Sequence, residues 1–203
     1  LYASGANTQI IAYASKKYRV FGETLDVGVG NFIDTFARHI GLGFPGGPKI
    51  QELAMNSHKK FIELPYSIKG MDVSFSGLLT NLQQKYDAGY DRNDLAYSLQ
   101  ETAFALLVEA SERALAHIEK KELVIGGGVG CNARLQERCR IMCRDRGGKF
   151  FAPQNEFLVD NGAMIAYLGE IMFHAGIFYS QKDFGKVDIN PRERTDDVEV
   201  TWK

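Results

Sequence analysis

Three glycine-bearing turns hold the residues with most to offer a ligand. In Ser4-Gly5-Ala6-Asn7-Thr8 the small residues let main-chain N–H groups turn toward an anion, and the Ser and Thr hydroxyls add donors. An ordinary hairpin turn uses the same residue types, and the stretch by itself does not choose between the two. Gly126-Gly127-Gly128-Val129-Gly130-Cys131-Asn132 sits where a strand gives way to a helix, so uncluttered backbone and a helix N-terminus could hold a nucleotide. It has neither the GxGxxG fingerprint in register nor GxxxxGK[ST], so neither a Rossmann oxidoreductase nor a P-loop ATPase is supported. Asn132 suits a helix cap as well as a ligand contact. In Val159-Asp160-Asn161-Gly162 the Asp160 carboxylate precedes a helix whose dipole would stabilise it, either as a cap or as one ligand of a metal beside phosphate; one ligand does not make a site. Asp34, with Asp26, could place carboxylates near a ribose or an amine, and a solvated helix face fits the same spacing.

Other chemistry-bearing residues are sparser. His39, His58, His117 and His174 include no pair four residues apart, and each is expected on a helix surface or in a loop. Cys139 and Cys143 share a helix face without further ligands at zinc spacing, so buried structural thiols are expected. Arg134, Arg138, Arg140, Arg144, Arg146 and Lys149 against Glu137 and Asp145 leave a local cationic excess that could touch RNA phosphates, or simply solvate a helix.

The elements that must position these residues read as an α/β domain with a mixed sheet flanked by helices. Leu1 to Ala3 begins a strand running into the first turn; Ile10 to Tyr13 and Tyr18 to Phe21 form a hairpin about Ser15 to Lys17. Apolar residues at 32, 33, 36, 37 and 40 predict a helix from Gly30 to Ile40, ended by Gly41 and Gly43. Pro45 to Pro48 reads as a loop whose second proline opens a helix to about Asn56. Residues 63–77 read as irregular with one short strand. Asp91 to Lys121 predicts one or two helices, capped by Asn93 or Asp94. Glu122 to Gly128 reads as a strand buried on both faces, followed by a helix from Ala133 to Arg146, a strand at Phe150 to Ala152, and an apolar helix from Asp160 to about His174. The residues after Tyr179 should wrap the surface.

Composition narrows the function classes. The chain has 203 residues, 45% hydrophobic and 24% charged, enough for a real core. No stretch approaches the roughly 18 apolar residues of a membrane helix, and no signal-peptide pattern opens the chain, so a cytoplasmic protein is expected. A net charge of −1 excludes a wholesale electrostatic nucleic-acid binder. Three cysteines fit a reducing compartment. A start inside a strand suggests a fragment of a longer protein.

Seven motifs in order go beyond anonymous glycine turns. They are Tyr2-Ala-Ser-Gly-Ala-Asn-Thr-Gln9, Gly22-Glu-Thr-Leu-Asp26, Phe44-Pro-Gly-Gly-Pro48, Lys69-Gly-Met-Asp72 with Ser74-Phe-Ser-Gly77, Ser98-Leu-Gln-Glu101, Gly127-Gly-Val-Gly-Cys-Asn132 and Asp160-Asn-Gly162. Together they resemble the tRNA N6-threonylcarbamoyladenosine transferase family, in particular the archaeal and eukaryotic catalytic subunit of the KEOPS complex. The resemblance implies an actin-like ATPase or sugar-kinase fold, with residues 1–203 as the second of two lobes and the N-terminal lobe absent from this sequence. The implied reaction moves a threonylcarbamoyl group from threonylcarbamoyl-AMP to N6 of the adenosine 3′ of the anticodon in tRNAs reading ANN codons. Implied partners are tRNA, a small protein kinase and a small dimerising subunit, with no membrane.

The same resemblance assigns residues. Tyr2, Ala3, Ser4, Gly5 and Ala6 match a substrate-contacting loop; Asp34 and Gly47 match ribose- and adenylate-side contacts; Gln51 stands where relatives carry Glu; Asn132 matches the adenosine loop. Tyr2 and Asp160 match metal contacts, for one divalent ion per subunit, iron or zinc, with magnesium as the alternative. Ala6 replaces a glycine, a substitution costing roughly 1 kcal/mol or more if the position needs positive φ. The family's His-x-x-x-His metal pair lies upstream of Tyr2 and is absent, so these residues alone are expected to bind metal poorly and to lack transferase activity. Other readings are a small-molecule kinase on the same fold, a non-catalytic scaffold and, last, the metallopeptidase role once attached to the family.

Overall fold

A computed structural model describes residues 1–202, and it is α/β as the alternation of strands and helices predicts. Strand β1 (Tyr2–Ala3) pairs antiparallel with β2 (Thr8–Ala14), which pairs antiparallel with β3 (Lys17–Glu23). Ser15 and Lys16, both at positive φ, make the tight turn between the longer two. Farther along, β6 (Glu122–Val124) and β7 (Lys149–Phe151) run parallel. The two groups are stitched where Ala3 N–H donates to the Gly126 carbonyl and Gly126 N–H to that of Leu1 (2.8 and 2.9 Å), so the mixed sheet is joined at the glycine turn itself. Strand β6 is not buried on both faces: Leu123 is buried, but Val124 is 58% exposed.

Helices α1 (Val29–His39), α2 (Gly46–Met55), α4 (Arg92–His117) and α5 (Ala133–Asp145) hold the core. Phe32 of α1 stacks on Phe75 with ring centroids 5.3 Å apart, and Phe36, Leu95, Leu99 and Phe104 are fully buried around them. Each such side chain contributes about 2–3 kcal/mol by leaving water. The predicted loop Pro45–Pro48 is corrected, since Pro45 is the N-cap and Gly46 already begins α2. Residues Asp91 to Lys121 contain one helix, and its cap is Asp91 rather than Asn93 or Asp94: the extended Asp91 accepts from Asn93 N–H and Asp94 N–H at 2.9 Å. Asp94, one turn in, turns back to accept from His58 N–H.

The 63–77 stretch holds two short strands, β4 (Ile68–Lys69) and β5 (Asp72–Val73), and runs into an unforeseen helix, α3 (Ser76–Asp87). The N-terminus of α3 has no local cap. Asp26 supplies one from fifty residues earlier, accepting from Phe75 N–H and Ser76 N–H at 2.9 Å. Its carboxylate is therefore structural, which withdraws it from the ribose role considered from spacing. Burial opposes its ionisation, but the Phe75, Ser76 and Val27 N–H groups prevail and hold it below the usual carboxylate range.

After β7 come the short α6 (Asn155–Leu158) and α7 (Gly162–His174). The segment beyond α7 lies over the β2–β3 hairpin as expected: the Lys17 and Glu199 backbones form an isolated antiparallel bridge, and the Arg194 guanidinium reaches the Glu23 carboxylate. Cys139 and Cys143 are buried thiols, and desolvation pushes Cys139 up to about 12. No helix among the described residues is long and apolar enough to cross a membrane.

Candidate functional site

The Ser4–Asn7 loop is closed on itself, Ser4 N–H and Oγ both meeting the Asn7 carbonyl, and two of its carbonyls are bonded to the helix that follows the hairpin. At the start of α1, Gly30 N–H donates to the Ser4 carbonyl and Asn31 N–H to that of Gly5 (3.0 and 2.9 Å), while Val29 N–H donates to Thr8 Oγ1 (2.8 Å). The orphan donors of a helix N-terminus are thereby satisfied by the loop. That contact demands glycine: a Cβ at Gly28 would stand 2.3 Å from the Gly5 oxygen, and one at Gly30 2.7 Å from the Gly5 Cα. With the Gly5 carbonyl held, Gly5 and Ala6 are exposed and their N–H groups have no acceptor among the described residues. The loop closes the antiparallel β1–β2 hairpin, with Ser4 N–H donating to the Asn7 carbonyl at 2.9 Å, and two free N–H groups on such a turn are donors that could face an anion. Ala6 is not among the residues with positive φ, so its methyl carries no backbone strain.

Two further contacts extend the site from the loop. On the opposite side, Gly127 (φ 86°, ψ 154°) packs under β1, where a Cβ would stand 2.3 Å from the Ala3 oxygen. One turn into α1, Asp34 Oδ1 accepts from Gly46 N–H at 2.7 Å, placing its carboxylate at the N-terminus of α2. A Cβ on Gly46 would clash with Asp34 and Ala37, whereas Gly47 faces open space. Gln51, on the next turn of α2, lines a cleft of about 600 Å³ between α2, α4 and α5, with Tyr97 and Gln100 of α4 and Ala133 and Arg134 of α5. A larger cleft of about 790 Å³ between β2, the end of α4 and β6 is lined by none of the predicted site residues.

Asn132 is committed within the fold. Its Oδ1 caps α5 through Arg134 N–H and Leu135 N–H (2.9 and 3.3 Å), and its Nδ2 donates to Gln100 Oε1 at 2.7 Å. Asp160 is exposed and does not cap α7, a role that Asn161 takes by accepting from Met164 N–H at 2.9 Å. Tyr2 and Val159, the neighbour of Asp160 in sequence, flank the same turn: a Cβ on Gly126 would lie 3.4 Å from Tyr2 Cδ2, and one on Gly128 4.0 Å from Val159 Cγ1. Two oxygen ligands do not close a transition-metal site, and the described residues hold no group of three or more His, Cys, Asp or Glu that could bind an ion.

Gln100 and Glu101 escape a reading by apolar periodicity because they sit in a helix buried nearly all round. Two consecutive polar residues inside that run are the sequence signal for them. Glu101, 8% exposed, accepts from Arg134 at 2.7 and 2.8 Å and also from Arg138. Burial works against the charge, but the two guanidiniums keep the carboxyl below its ordinary range. They also reduce the RNA-facing excess suggested for 134–149, since Arg146 pairs with Glu112 and Arg144 with Asp145 as well.

The family model for tRNA N6-adenosine threonylcarbamoyltransferase, TsaD, matches residues 1–167. A protein of that name from Thermococcus kodakarensis is 56% identical over 203 residues, which are all of this chain and 61% of that protein. One from Archaeoglobus fulgidus is 53% identical over 202 residues with the same coverage. A probable bifunctional tRNA threonylcarbamoyladenosine biosynthesis protein of Methanocaldococcus jannaschii is 54% identical, the chain covering 37% of it. Among solved structures, that of T. kodakarensis HypF superposes on 76% of the chain and 21% of HypF with a TM-score of 0.59 at 18% identity, a likeness of fold.

Proposed function

The chain belongs to the tRNA N6-adenosine threonylcarbamoyltransferase family, and from that premise we propose that it supplies the adenylate-binding side of an enzyme that threonylcarbamoylates tRNA. It spans about 61% of the length of the Thermococcus and Archaeoglobus relatives. In the proposed reaction N6 of the adenosine 3′ of the anticodon attacks the carbonyl of threonylcarbamoyl-AMP. The N–C bond forms, the C–O bond to phosphate breaks, AMP departs as the anion and N6 gives up a proton.

The observation that carries this reading is the cradle at Gly5 and Ala6. Its outward N–H groups are pre-set by α1 and suit the adenylate phosphate, whose negative charge grows as AMP leaves. Asp34 and Gly47 at the α2 N-terminus, and Gln51 one turn on, continue from the phosphate toward a ribose and base. Asn132 then acts on the adenosine end through the residues it holds.

The resident metal, iron or zinc with magnesium as the alternative, would polarise the carbonyl and the leaving phosphate. Tyr2 and Asp160 would contribute to it, the other ligands coming from outside these residues; no step is assigned to the ion. The second-lobe placement in an actin-like fold, a cytoplasmic location, and partnership with tRNA, a small protein kinase and a small dimerising subunit belong to the same proposal. The 203 residues alone should have no transferase activity.

The test is mass spectrometry of unmodified tRNA incubated with the complete gene product, its partners and threonylcarbamoyl-adenylate. The modified nucleoside should form with wild type and fall below about one hundredth of that level with Asp160→Ala. A folded, nucleotide-binding wild type that yields no product would end the transferase reading.

A further inference from the structure

The cleft between α2, α4 and α5 contains a carboxamide whose orientation is fixed and whose donor has nothing to bind. Asn132 sets the orientation. Because its Oδ1 accepts two N–H groups at the start of α5, its Nδ2 must face α4, where it donates to Gln100 Oε1 at 2.7 Å. The Gln100 oxygen is therefore turned toward Asn132 and its Nε2 away.

Gln100 is 5% exposed and lines the cleft, yet its Nε2 has no acceptor among the described residues and is not sealed from the cleft. Open to the cleft, that N–H can meet water in the free protein and exchange it for a ligand acceptor held at the same place. Around it Ala54, Met55, Tyr97 and Ala133 offer walls for a flat ring. Arg134, the cation on the α5 wall, is already committed to Glu101 and Glu137, and the other cation of the lining, Lys59, is exposed. An uncharged donor between apolar walls matches a ring nitrogen better than a phosphate.

We propose that Gln100 is a base-binding residue of this cleft, its Nε2 donating to an acceptor ring nitrogen of adenine, with Asn132 as the positioning residue that holds the Gln100 carboxamide in that orientation. The inference rests on the adenylate reading and deepens it by naming the group that meets the base. It also changes the role of Asn132, which acts through Gln100.

Calorimetry with adenosine, which carries no phosphate to confuse the electrostatics, tests this on the complete gene product. Gln100→Glu still accepts from Asn132 but has lost the donor; Gln100→Met has lost both. Both variants should bind adenosine about tenfold more weakly than wild type at a temperature where both remain folded, Gln100→Met melting lower because it also leaves Asn132 Nδ2 without its acceptor. One of 1-deaza-, 3-deaza- or 7-deazaadenosine should lose a similar factor against wild type and nothing further against Gln100→Glu. Wild-type affinity in Gln100→Glu, even with Gln100→Met impaired, would show a structural role and overturn the proposal. Should Gln100→Glu fail to fold, full affinity of wild type for all three deaza analogues would overturn it equally. A wild type that binds no adenosine at all would bring down the adenylate reading itself, before any variant is compared.

Discussion

The two ends of the site are made of different material. The end at Gly5 and Ala6 is backbone: loop carbonyls bonded to α1, glycines admitting close approach, and N–H groups left outward. The cleft end is side chain, with Gln51 and Gln100 beside Ala54, Met55, Tyr97 and Ala133, Asn132 behind Gln100, and Glu101 held between Arg134 and Arg138. A backbone cradle presents donors that no side-chain substitution removes, but it fails where a methyl group will not fit. A side-chain cleft tolerates volume better and depends on charge and on which way an amide points. The two ends should therefore break by different means.

The largest effect is expected at Gly127. Its φ of 86° and ψ of 154° lie where essentially only glycine goes, and a Cβ would press to 2.3 Å from the Ala3 oxygen. Gly127→Ala should cost about 3 kcal/mol or more, summing backbone strain and overpacking, and should show as a lowered urea midpoint. A variant as stable as wild type would mean that β1 and the turn are not held together by that contact.

At the cleft end the lever is charge. Glu101→Gln leaves Arg134 and Arg138 facing a neutral amide. The cost should be about 2 kcal/mol, below the 3–5 of a fully buried pair because both guanidiniums keep some contact with water. The sign with pH follows from the depressed carboxyls of Glu101 and Asp26, whose ordinary values are 4.5 and 3.8. Their stabilisation is present in full above those values and is lost as pH falls through the lower folded ones. The stability gap between wild type and Glu101→Gln, measured by denaturant titration, should accordingly narrow below about pH 4. A gap that stays constant down to pH 3 would show that the ion pairs contribute little.

The same division explains what the sequence made legible. Gly5, Gly127, Asp34 and Gly47 stand at turns and helix starts, where residue type maps directly onto backbone geometry. The cap of α3 comes from Asp26, fifty residues away, so no local signal marks that helix start. Helices α4 and α7 show the limit of hydropathy. Polar Gln100, Glu101 and Thr102 are buried on α4, and apolar Met164, Ile165 and Leu168 are exposed on α7, of which no residue is buried. Apolar content states a demand for burial, and only the packing says whether it is met. The bonds from Gln100 to Asn132 and from Glu101 to Arg134 span 32 and 33 residues, which periodicity cannot see.

Ala6 sharpens the comparison with the smallest effect. If the cradle is purely backbone, its side chain should matter only through the unfolded chain, because Ala6 has no positive φ to relieve and the methyl is exposed. Ala6→Gly should then destabilise the fold by about 0.5 kcal/mol, the entropy glycine adds to the unfolded state, and leave the affinity for AMP unchanged. A gain in stability would require strain at this position that the backbone angles do not show. A marked change in AMP affinity would mean that the methyl touches the ligand, and the phosphate end would then be, like the cleft, a site made partly of side chains.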